Sequence, residues 1–569
     1  MMPDTAMPPY FSQFLGRKPP QFPEFTDRER VIWHFLAGMT VFFGAWYLYW
    51  RWTDALNPDA IVFSVVVALA ETATFLGTCI FFFDIWDEGD TPVNVGLPFQ
   101  GRANCDVDIF IATLDEDLEI LTPTIDAALA VELPHGTKAR VWLLDDGDRK
   151  DVRHLAKSKK IGYFARQSNR GFKAGNLANA LYKTRGDFIL ICDADTQLFP
   201  NVLKNTLGYF QDPKIAWVQT PHWFFDIPEG ESWDSFIQRT VGFRITWLDW
   251  TLRRILGSER IGQDPFKSDP SVFFDVILRR RNRNGASFCC GAGSIHRREA
   301  LFDNCLNEIE GSARPTEQQP FKFHVSEDIF TSIQLHNKRW KSVYHPRVEA
   351  RMLSPWSVEA WAAQKHKYSG GTFDIMLRAN PLFEKGMPWR VKLHYLATFW
   401  SYAGVFWFPI LLLAAAFSLT TGHAPIDAYT LTFFAHLLPV LICNELALAV
   451  GTKGYDTYSG RCLAMGTLQI QLKAFFQVAR GRRPKFKPTP KRPGQSVQWA
   501  YAAPNLVMIV ILLLAGIWGW ASFYFGLQNH SASLLAINLF WIGCNVLLLA
   551  KTVGVCISIP AATQRFQQR

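Results

Sequence analysis

The sequence predicts a membrane protein in which a Rossmann-like α/β domain is inserted into a six-helix transmembrane region. Three observations favour this fold class. Apolar residues reach 49% of the chain and charged residues only 19%. Six stretches stay apolar over the thickness of a bilayer core. The long segment 84–394, between the second and third of these stretches, alternates strand-like and helix-like patterns.

Each apolar stretch has about 20 residues or more, which is the length an α-helix needs to cross a hydrocarbon core of roughly 30 Å. No cleavable signal peptide is expected, because the first thirty residues are polar, Pro-rich and basic, and the first apolar run is too long for a signal sequence. The predicted spans cover residues 31–52, 60–83, 395–419, 428–451, 503–526 and 534–557.

The distribution of basic residues predicts how the spans are oriented. The connections 53–59, 420–427 and 527–533 contain no Lys or Arg, whereas 452–501 contains ten basic residues and a single acid. The positive-inside rule therefore places residues 84–394 and 452–501, with both termini, in the cytosol. The net charge of +9 then suits anionic lipid headgroups, and we expect no nucleic-acid partner.

The chain is accordingly expected to alternate between soluble and membrane segments. Helical spacing also predicts an interface helix at 461–480 and a helix at 236–257, which either lies on the inner leaflet or packs on the domain. The predicted segments are a cytosolic N-terminal segment (1–30), two transmembrane helices (31–83), the α/β domain (84–394), two transmembrane helices (395–451), an interface helix and a basic loop (452–501), two transmembrane helices (502–557) and a cytosolic tail (558–569).

Apolar strands and amphipathic helices follow one another in the first half of the α/β domain. Residues 107–114, 139–146 and 187–195 have the pattern of buried strands. Such alternation predicts a mainly parallel sheet with helices on both faces, and ligands of such sheets bind beyond the carboxyl ends of the strands. Two acidic motifs, DDGD at 145–148 and DAD at 193–195, lie at this predicted edge.

The DAD motif is a candidate metal site. Asp193 and Asp195 are separated by one residue, and side chains two apart share one face of a strand. Carboxylate oxygens suit Mg²⁺ or Mn²⁺, and Mg²⁺ is commonly held by one or two carboxylates together with substrate phosphates. The alternative is a pair of solvated acids at a strand end.

Two further acidic motifs each allow two interpretations. Asp146 can accept hydrogen bonds from a nucleoside, or the DDGD motif can simply form an Asp-Gly turn. In HVSEDIFT (324–331), Glu327 and Asp328 precede a predicted helix, where Ser326 and the acids can serve as a helix cap. The functional alternative makes Asp328 a general base that takes a proton from an attacking hydroxyl.

Taken in order, the motifs DDG (145–147), DAD (193–195), SED (326–328) and QKHKY (364–368) resemble those of the processive family-2 glycosyltransferases. The resemblance is strongest to the catalytic subunit of bacterial cellulose synthase and covers roughly residues 60–560. It implies a GT-A domain at 84–394 set between membrane spans. Since the sequence ends about a dozen residues after the last predicted span, no cyclic-di-GMP-sensing domain is expected after it.

The resemblance also implies roles for individual residues. Asp328, with Glu327 beside it, would be the catalytic base, and Asp195 with Asp193 would hold Mg²⁺ or Mn²⁺ against the donor diphosphate. The donor site would comprise Thr113, Glu116, Asp146, Lys173, Asp193 and Asp195, the acceptor site Gln364, Lys367 and Tyr368, and a gating loop Phe486, Thr489 and Lys491.

Several positions depart from the family pattern. Lys367 stands where the family has Arg, and Tyr368 where it has Trp. Tyr still offers a flat ring for stacking on a sugar, whereas a lysine ammonium cannot grip a diphosphate in two places as a guanidinium does. Leu114 replaces the aromatic residue expected beside the uracil, and Pro488 replaces a valine of the gating motif. These changes bear on the product linkage more than on the reaction type.

The resemblance implies an inverting, processive enzyme of the bacterial inner membrane that polymerises glucose from UDP-glucose into a β-1,4-glucan. Its expected partners are UDP-glucose, the growing glucan chain, the lipid bilayer and a periplasmic or membrane partner subunit. The alternatives are a β-1,3 or mixed-linkage glucan, a GlcNAc polymer, a non-processive transfer to a lipid carrier, and a transport or scaffold protein without activity.

Overall fold

The computed structural model describes residues 10–21, 24–89, 105–166, 168–227, 231–245, 247, 260–261, 271–310, 319–355, 357–427, 431–455, 457–482, 498–527 and 531–567. In this part of the chain, six helices are long and apolar enough to cross a membrane, and they flank an α/β domain. The predicted fold class is therefore confirmed. The candidate spans are Asp27–Thr53, Pro58–Asp84, Trp389–Thr421, Leu431–Gly451, Trp499–Phe525 and Ala532–Ile557.

The helices form from long apolar runs and from runs with apolar residues at helical spacing, and several of them begin at a cap. For example, α1 begins with a capping box in which Thr26 and Glu29 bond each other's backbone N–H groups. In chain order the helices are α1 (Asp27–Thr53), α2 (Ile61–Asp84), α3 (Leu118–Leu129), α4 (Lys150–Ser158), α5 (Phe172–Lys183), α6 (Val202–Thr206), α7 (Trp233–Val241), α8 (Arg279–Arg281), α9 (Arg298–Glu310), α10 (Glu327–Asn337), α11 (Val358–Arg378), α12 (Trp389–Ala403), α13 (Phe408–Thr421), α14 (Leu431–Gly451), α15 (Thr457–Gly466), α16 (Leu468–Ala479), α17 (Trp499–Phe525) and α18 (Ala532–Gln567).

The described strands form one seven-stranded sheet and two small ones. The large sheet has the order β11-β6-β10-β4-β1-β2-β3, in which only β10 runs antiparallel to its neighbours. The strands are β1 (Cys105–Thr113), β2 (Thr137–Asp145), β3 (Gly162–Ala165), β4 (Phe188–Asp193), β5 (Gln197–Leu198), β6 (Ile215–Gln219), β7 (Trp223–Phe224), β8 (Glu231–Ser232), β9 (Arg260–Ile261), β10 (Ser294–Arg297), β11 (Lys341–Tyr344) and β12 (Ala350–Met352).

The central strands are apolar along almost their whole length because helices cover both faces of the sheet. Ile109 and Ile111 of β1 belong to one buried cluster with Leu121 and Ile125 of α3. Phe110, between them, belongs to the cluster on the opposite face. Both faces therefore exclude water, as expected of a largely parallel sheet.

A buried polar cluster joins the soluble domain to the membrane helices. Asp84, at the end of α2, accepts two hydrogen bonds from the Arg281 guanidinium, at 2.8 and 2.7 Å. The same carboxylate contacts His394 Nδ1 of α12 at 2.6 Å, and the other ring nitrogen of His394 contacts Asn284 Nδ2 at 2.8 Å. Since Asp84, Arg281 and His394 are all buried, this cluster fixes the domain to two spans at once.

Two of the connections without Lys or Arg meet at the other end of the helices. Leu56 pairs with Ile426 in an isolated antiparallel bridge. Arg51 donates to Pro425 O at 2.9 Å and to Glu71 Oε2 at 2.8 Å. The loops 53–59 and 420–427 therefore lie on one side of the helical region, at the end of α2 remote from the soluble domain.

The structure corrects two helix predictions. The helix predicted at 236–257 ends at Val241, because Gly242 has a φ of 89°, a left-handed conformation that terminates helices. Most of the remainder, 246 and 248–259, lies outside the described residues. The interface helix predicted at 461–480 is divided into α15 and α16 at Thr467, where the backbone leaves the helical region.

Candidate active site

The carboxyl ends of β1, β2 and β4 lie side by side and carry the predicted donor residues. The β1–β2 register aligns Thr113 with Asp145, and the β1–β4 register aligns Ala112 with Asp193. Parallel neighbours bring their carboxyl ends to the same edge of a sheet. The DDGD and DAD motifs, which are far apart in the sequence, are therefore neighbours in the fold.

Asp146 is held by a cation that the sequence analysis did not single out. Arg166, just after β3, donates from Nε to Asp146 Oδ1 at 2.6 Å and from Nη2 to Oδ2 at 2.7 Å. Burial raises the pKa of Asp146 above its usual value, although Arg166 opposes the shift. The turn itself is formed by Asp145, whose Oδ1 accepts the Gly147 N–H at 2.9 Å. Asp146 is therefore not needed for the Asp-Gly turn.

Thr113 and Glu116 form the loop that follows β1. Glu116 Oε2 accepts hydrogen bonds from Thr113 Oγ1 at 2.7 Å and from Leu114 N at 2.9 Å. Arg149 donates to Thr113 Oγ1 at 2.7 Å and to the backbone oxygen of Glu116 at 2.6 Å. The structure brings the two predicted donor residues together and adds Arg149 as the cation that holds their loop.

Lys173 and Asp193 form an ion pair at the centre of the cleft. Burial alone would lower the pKa of Lys173, but Asp193 and Glu327 outweigh it and raise that pKa above its usual value. Burial alone would raise the pKa of Asp193, but Lys173 outweighs it and holds that pKa below its usual value. Both groups are therefore charged at neutral pH.

Asp195 lies deeper than Asp193, with 7% of its surface exposed, and its Oδ2 accepts the Leu353 N–H at 3.2 Å. No group of three or more His, Cys, Asp or Glu side chains within the described residues could hold a metal ion. Two carboxylates with one residue between them fit a divalent cation only if phosphate oxygens complete the coordination of the ion. This donor set therefore suits an ion that arrives with a nucleoside diphosphate.

Glu327 and Asp328 begin α10 and point into the same cleft as Lys173. A Cβ placed on Gly291 would lie 3.3 Å from Lys173 Nζ and 3.9 Å from Asp328 Oδ2, so both groups reach one point. Burial and the adjacent Asp328 raise the pKa of Glu327. Ser326 occupies the N-cap position, but its side chain makes no capping hydrogen bond. Asp328 Oδ1 accepts the Ile329 N–H at 2.9 Å, so the capping alternative holds in part for the acid although not for Ser326.

The QKHKY motif lies in the middle of α11, whose Gly371 lies against Ser326 in the segment that leads to the acids. Tyr368 remains 43% exposed. It lies near the Asp328 carboxylate. Lys367 lies close enough to contribute to the lowered pKa of Asp193 and to oppose the rise in the pKa of Glu327. Gln364 is half-buried one turn earlier on the helix. The three predicted acceptor residues therefore share the helix that faces the acids.

One predicted element lies outside the described residues, and one histidine was missed. Phe486, Thr489 and Lys491 of the predicted gating loop fall within 483–497, which the structure does not describe. His222 donates from Nε2 to Ala292 O at 2.8 Å, and burial lowers its pKa. His222 lies near Asp193, in the short segment that follows β6. A histidine just after a buried strand was the feature of the sequence that could have identified it.

Comparisons with known proteins show what the domain is similar to. Residues 104–371 match the model described as glycosyltransferase-like family 2. Cellulose synthase 2 of Novacetimonas hansenii is 26% identical over 545 residues, which cover 92% of this chain and 31% of that protein. A UDP-forming cellulose synthase catalytic subunit of Pseudomonas fluorescens is 28% identical over 526 residues, covering 90% of this chain and 64% of that protein.

This chain thus spans about one third to two thirds of the length of these two relatives. Among solved structures, a mannosyltransferase from Pyrobaculum calidifontis in complex with GDP-Man and Mn²⁺ is 14% identical, with a TM-score of 0.44. That alignment covers 74% of this chain and all of the other.

Proposed function

We propose that this chain, whose residues 104–371 match the glycosyltransferase-like family 2 model, is a processive enzyme that builds a β-1,4-glucan from UDP-glucose. The domain would face the cytosol of a bacterial inner membrane, and the growing chain would leave through the membrane helices. One observation carries the proposal. A single cleft unites a lysine–aspartate pair for the donor, an acidic pair for proton transfer and an exposed aromatic ring for the acceptor.

The transfer would be a single displacement at the anomeric carbon of the donor sugar. The acceptor hydroxyl oxygen forms the new bond to that carbon while the bond from carbon to the diphosphate oxygen breaks, which inverts the configuration. Asp328 takes the hydroxyl proton. Glu327 lies beside Asp328 at the start of α10, and its pKa is raised by burial and by the Asp328 charge.

The negative charge that develops on the leaving diphosphate needs positive partners. Lys173 is charged and lies at the centre of the cleft, so its ammonium would meet the diphosphate. Asp195 and Asp193 would hold Mg²⁺ or Mn²⁺ together with the phosphate oxygens, and the ion would neutralise the leaving group. Asp146 and Arg166 would contact the nucleoside, since they lie at the adjacent strand end.

Tyr368 supports polymerisation over a single transfer. Its ring is 43% exposed on the helix that faces the acids, so a terminal sugar of the acceptor could stack on it. Six helices that are long and apolar enough to cross a membrane flank the domain along the chain, and they could form the path for the growing chain. The alternative is a β-1,3 or mixed-linkage glucan, favoured by the presence of Lys367 and Tyr368 where the resembled family has Arg and Trp.

The proposal is tested with the full chain purified into nanodiscs. The protein is supplied with Mg²⁺ and either radiolabelled UDP-glucose or UDP-GlcNAc, and the polymer is digested with β-1,4- and β-1,3-specific glucanases. We expect polymer only from UDP-glucose, and we expect the β-1,4 enzyme alone to cut it. Polymer cut only by the β-1,3 enzyme would favour the alternative linkage, and polymer from UDP-GlcNAc alone would contradict the donor.

A catalytic variant separates transfer by this cleft from a contaminating activity. Asp328→Asn should lower the rate about 10²- to 10⁴-fold, the usual contribution of a general base. Asp212→Asn serves as the matched control, because Asp212 forms an ion pair with Lys341 on the surface. An Asp328→Asn protein as active as the control would remove Asp328 from the mechanism.

A further inference from the structure

Two segments that the proposed function uses for different tasks are joined by a histidine. His324 lies two residues before Ser326, in the segment that leads to the base Asp328. Its Nδ1 accepts the backbone N–H of Ser326 at 3.0 Å. Its Nε2 contacts Asp374 Oδ2 at 3.0 Å, and Asp374 lies on α11, the helix that carries Tyr368.

The two contacts define the protonation of the ring. Nδ1 accepts from a backbone N–H and therefore carries no proton, so the proton lies on Nε2 and is donated to the Asp374 carboxylate. The His324 and Asp374 side chains are only 11% and 10% exposed, so water competes little for either bond. A hydrogen bond to a carboxylate is stronger than one between neutral groups.

The connection continues beyond Asp374. Arg378, one turn later on α11, donates to Asp374 Oδ1 and, at 3.4 Å, to the backbone oxygen of Val478 on α16. A second contact between the same two helices joins His366 Nε2 and Gln477 Oε1 at 3.1 Å. The base segment, α11 and α16 are thus held together by a chain of polar contacts.

We propose that His324 and Asp374 are positioning residues that hold the catalytic base in register with the acceptor helix. This inference rests on the proposed function, in which Asp328 takes the proton of an acceptor bound at Tyr368. The base and the acceptor site come from different segments, so their separation is defined only by packing between the segments. A displacement of about 1 Å between reacting groups can lower a rate about 100-fold.

The first test compares two substitutions of the histidine. His324→Asn keeps an oxygen near the position of Nδ1, so it can still accept the Ser326 N–H, but it is too short to reach Asp374. His324→Gln instead places an amide N–H near the position of Nε2 and can donate to Asp374. The matched control is His345→Asn, because His345 is a buried histidine beside Glu349 at 3.3 Å and lies outside this chain of contacts.

Steady-state kinetics in nanodiscs supply the first readout. His324→Asn should lower kcat about 10- to 100-fold while KM for the UDP-sugar changes less than about twofold. His324→Gln should recover most of the loss, and His345→Asn should keep the wild-type kcat even if it lowers the melting temperature. A wild-type kcat in His324→Asn, or a loss of equal size in the control, would overturn the inference.

Hydrogen exchange supplies a readout that does not require turnover. Deuterium uptake by the peptide that contains residues 324–331 should rise in His324→Asn and Asp374→Ala, and should remain at the wild-type level in His324→Gln and His345→Asn. Unchanged uptake in the first two variants would overturn the inference. A wild-type protein that transfers no sugar would instead contradict the proposed function, so the two failures are distinguishable.

Discussion

Gly371→Ala tests how closely the acceptor helix must approach the base segment. A Cβ on Gly371 would lie 2.0 Å from Ser326 Oγ, 3.0 Å from Ser326 Cβ and 3.1 Å from Val325 Cγ1. Rotation of the hydroxyl relieves only the first contact. Since ordinary contact begins near 3.4 Å, Ser326 Cβ must still retreat by about 3.4 − 3.0 = 0.4 Å, and Val325 by about 0.3 Å.

Ser326 and Val325 would move away from α11, because the new methyl group lies on that helix. A shift of a few tenths of an ångström at Ser326 would also displace Asp328, two residues later. A misplacement of about 1 Å between reacting groups can lower the reaction rate about 100-fold. We therefore expect kcat of Gly371→Ala to fall about 10-fold, with KM for the UDP-sugar unchanged. The assay is the initial rate of polymer formation in nanodiscs over a range of donor concentrations.

Two further variants make this result interpretable. Gly38→Ala is the matched control, because Gly38 lies within α1 and no atom lies within 4 Å of its Cβ position. It should keep full activity. Adding Ser326→Gly to Gly371→Ala removes both atoms of Ser326 that the new methyl group meets and should restore most of the rate. Wild-type kcat in Gly371→Ala, or no recovery in the double variant, would refute the packing argument.

Three other predictions concern charge, stacking and stability. Lys173 holds the pKa of Asp193 below its usual value, so Asp193 should become protonated at a higher pH in Lys173→Met. The acidic side of the rate–pH profile should therefore shift to higher pH, and an unchanged profile would contradict this. Tyr368→Ala should shorten the polymer and Tyr368→Trp should not, since aromatic stacking contributes about 0.5–1.5 kcal/mol; equal product lengths would contradict stacking. Arg281→Met removes the guanidinium from the buried Asp84 carboxylate and leaves it the contact with His394. It should destabilise the protein by about 3–5 kcal/mol, seen as a lower melting temperature in detergent.

Local patterns in the sequence were sufficient to predict the architecture. The apolar spans are recognisable one by one, because each helix must present apolar side chains over the whole bilayer thickness. The acidic strand ends were equally visible, since DDGD and DAD each follow a run of buried residues. The parallel register of β1, β2 and β4 then brings them together without further information.

The contacts that organise the site could not be predicted in the same way. Arg166 pairs with Asp146 across two strand ends, and His324 pairs with Asp374 across 50 positions of the chain. Such contacts depend on how helices pack on the sheet, and no local pattern records that packing. The end of the helix predicted at 236–257 was wrong for a related reason: the left-handed conformation of Gly242 ends the helix at Val241 despite the helical spacing around it.

The most direct test of the central claim is the length of the product at low conversion. Wild-type protein in nanodiscs is given labelled UDP-glucose, and the reaction is stopped after about 1% of the donor has been consumed. A processive enzyme that keeps its acceptor on the Tyr368 helix should already yield long insoluble glucan, together with unreacted donor. Short oligosaccharides that lengthen gradually with conversion, or a single sugar on a lipid, would contradict the account.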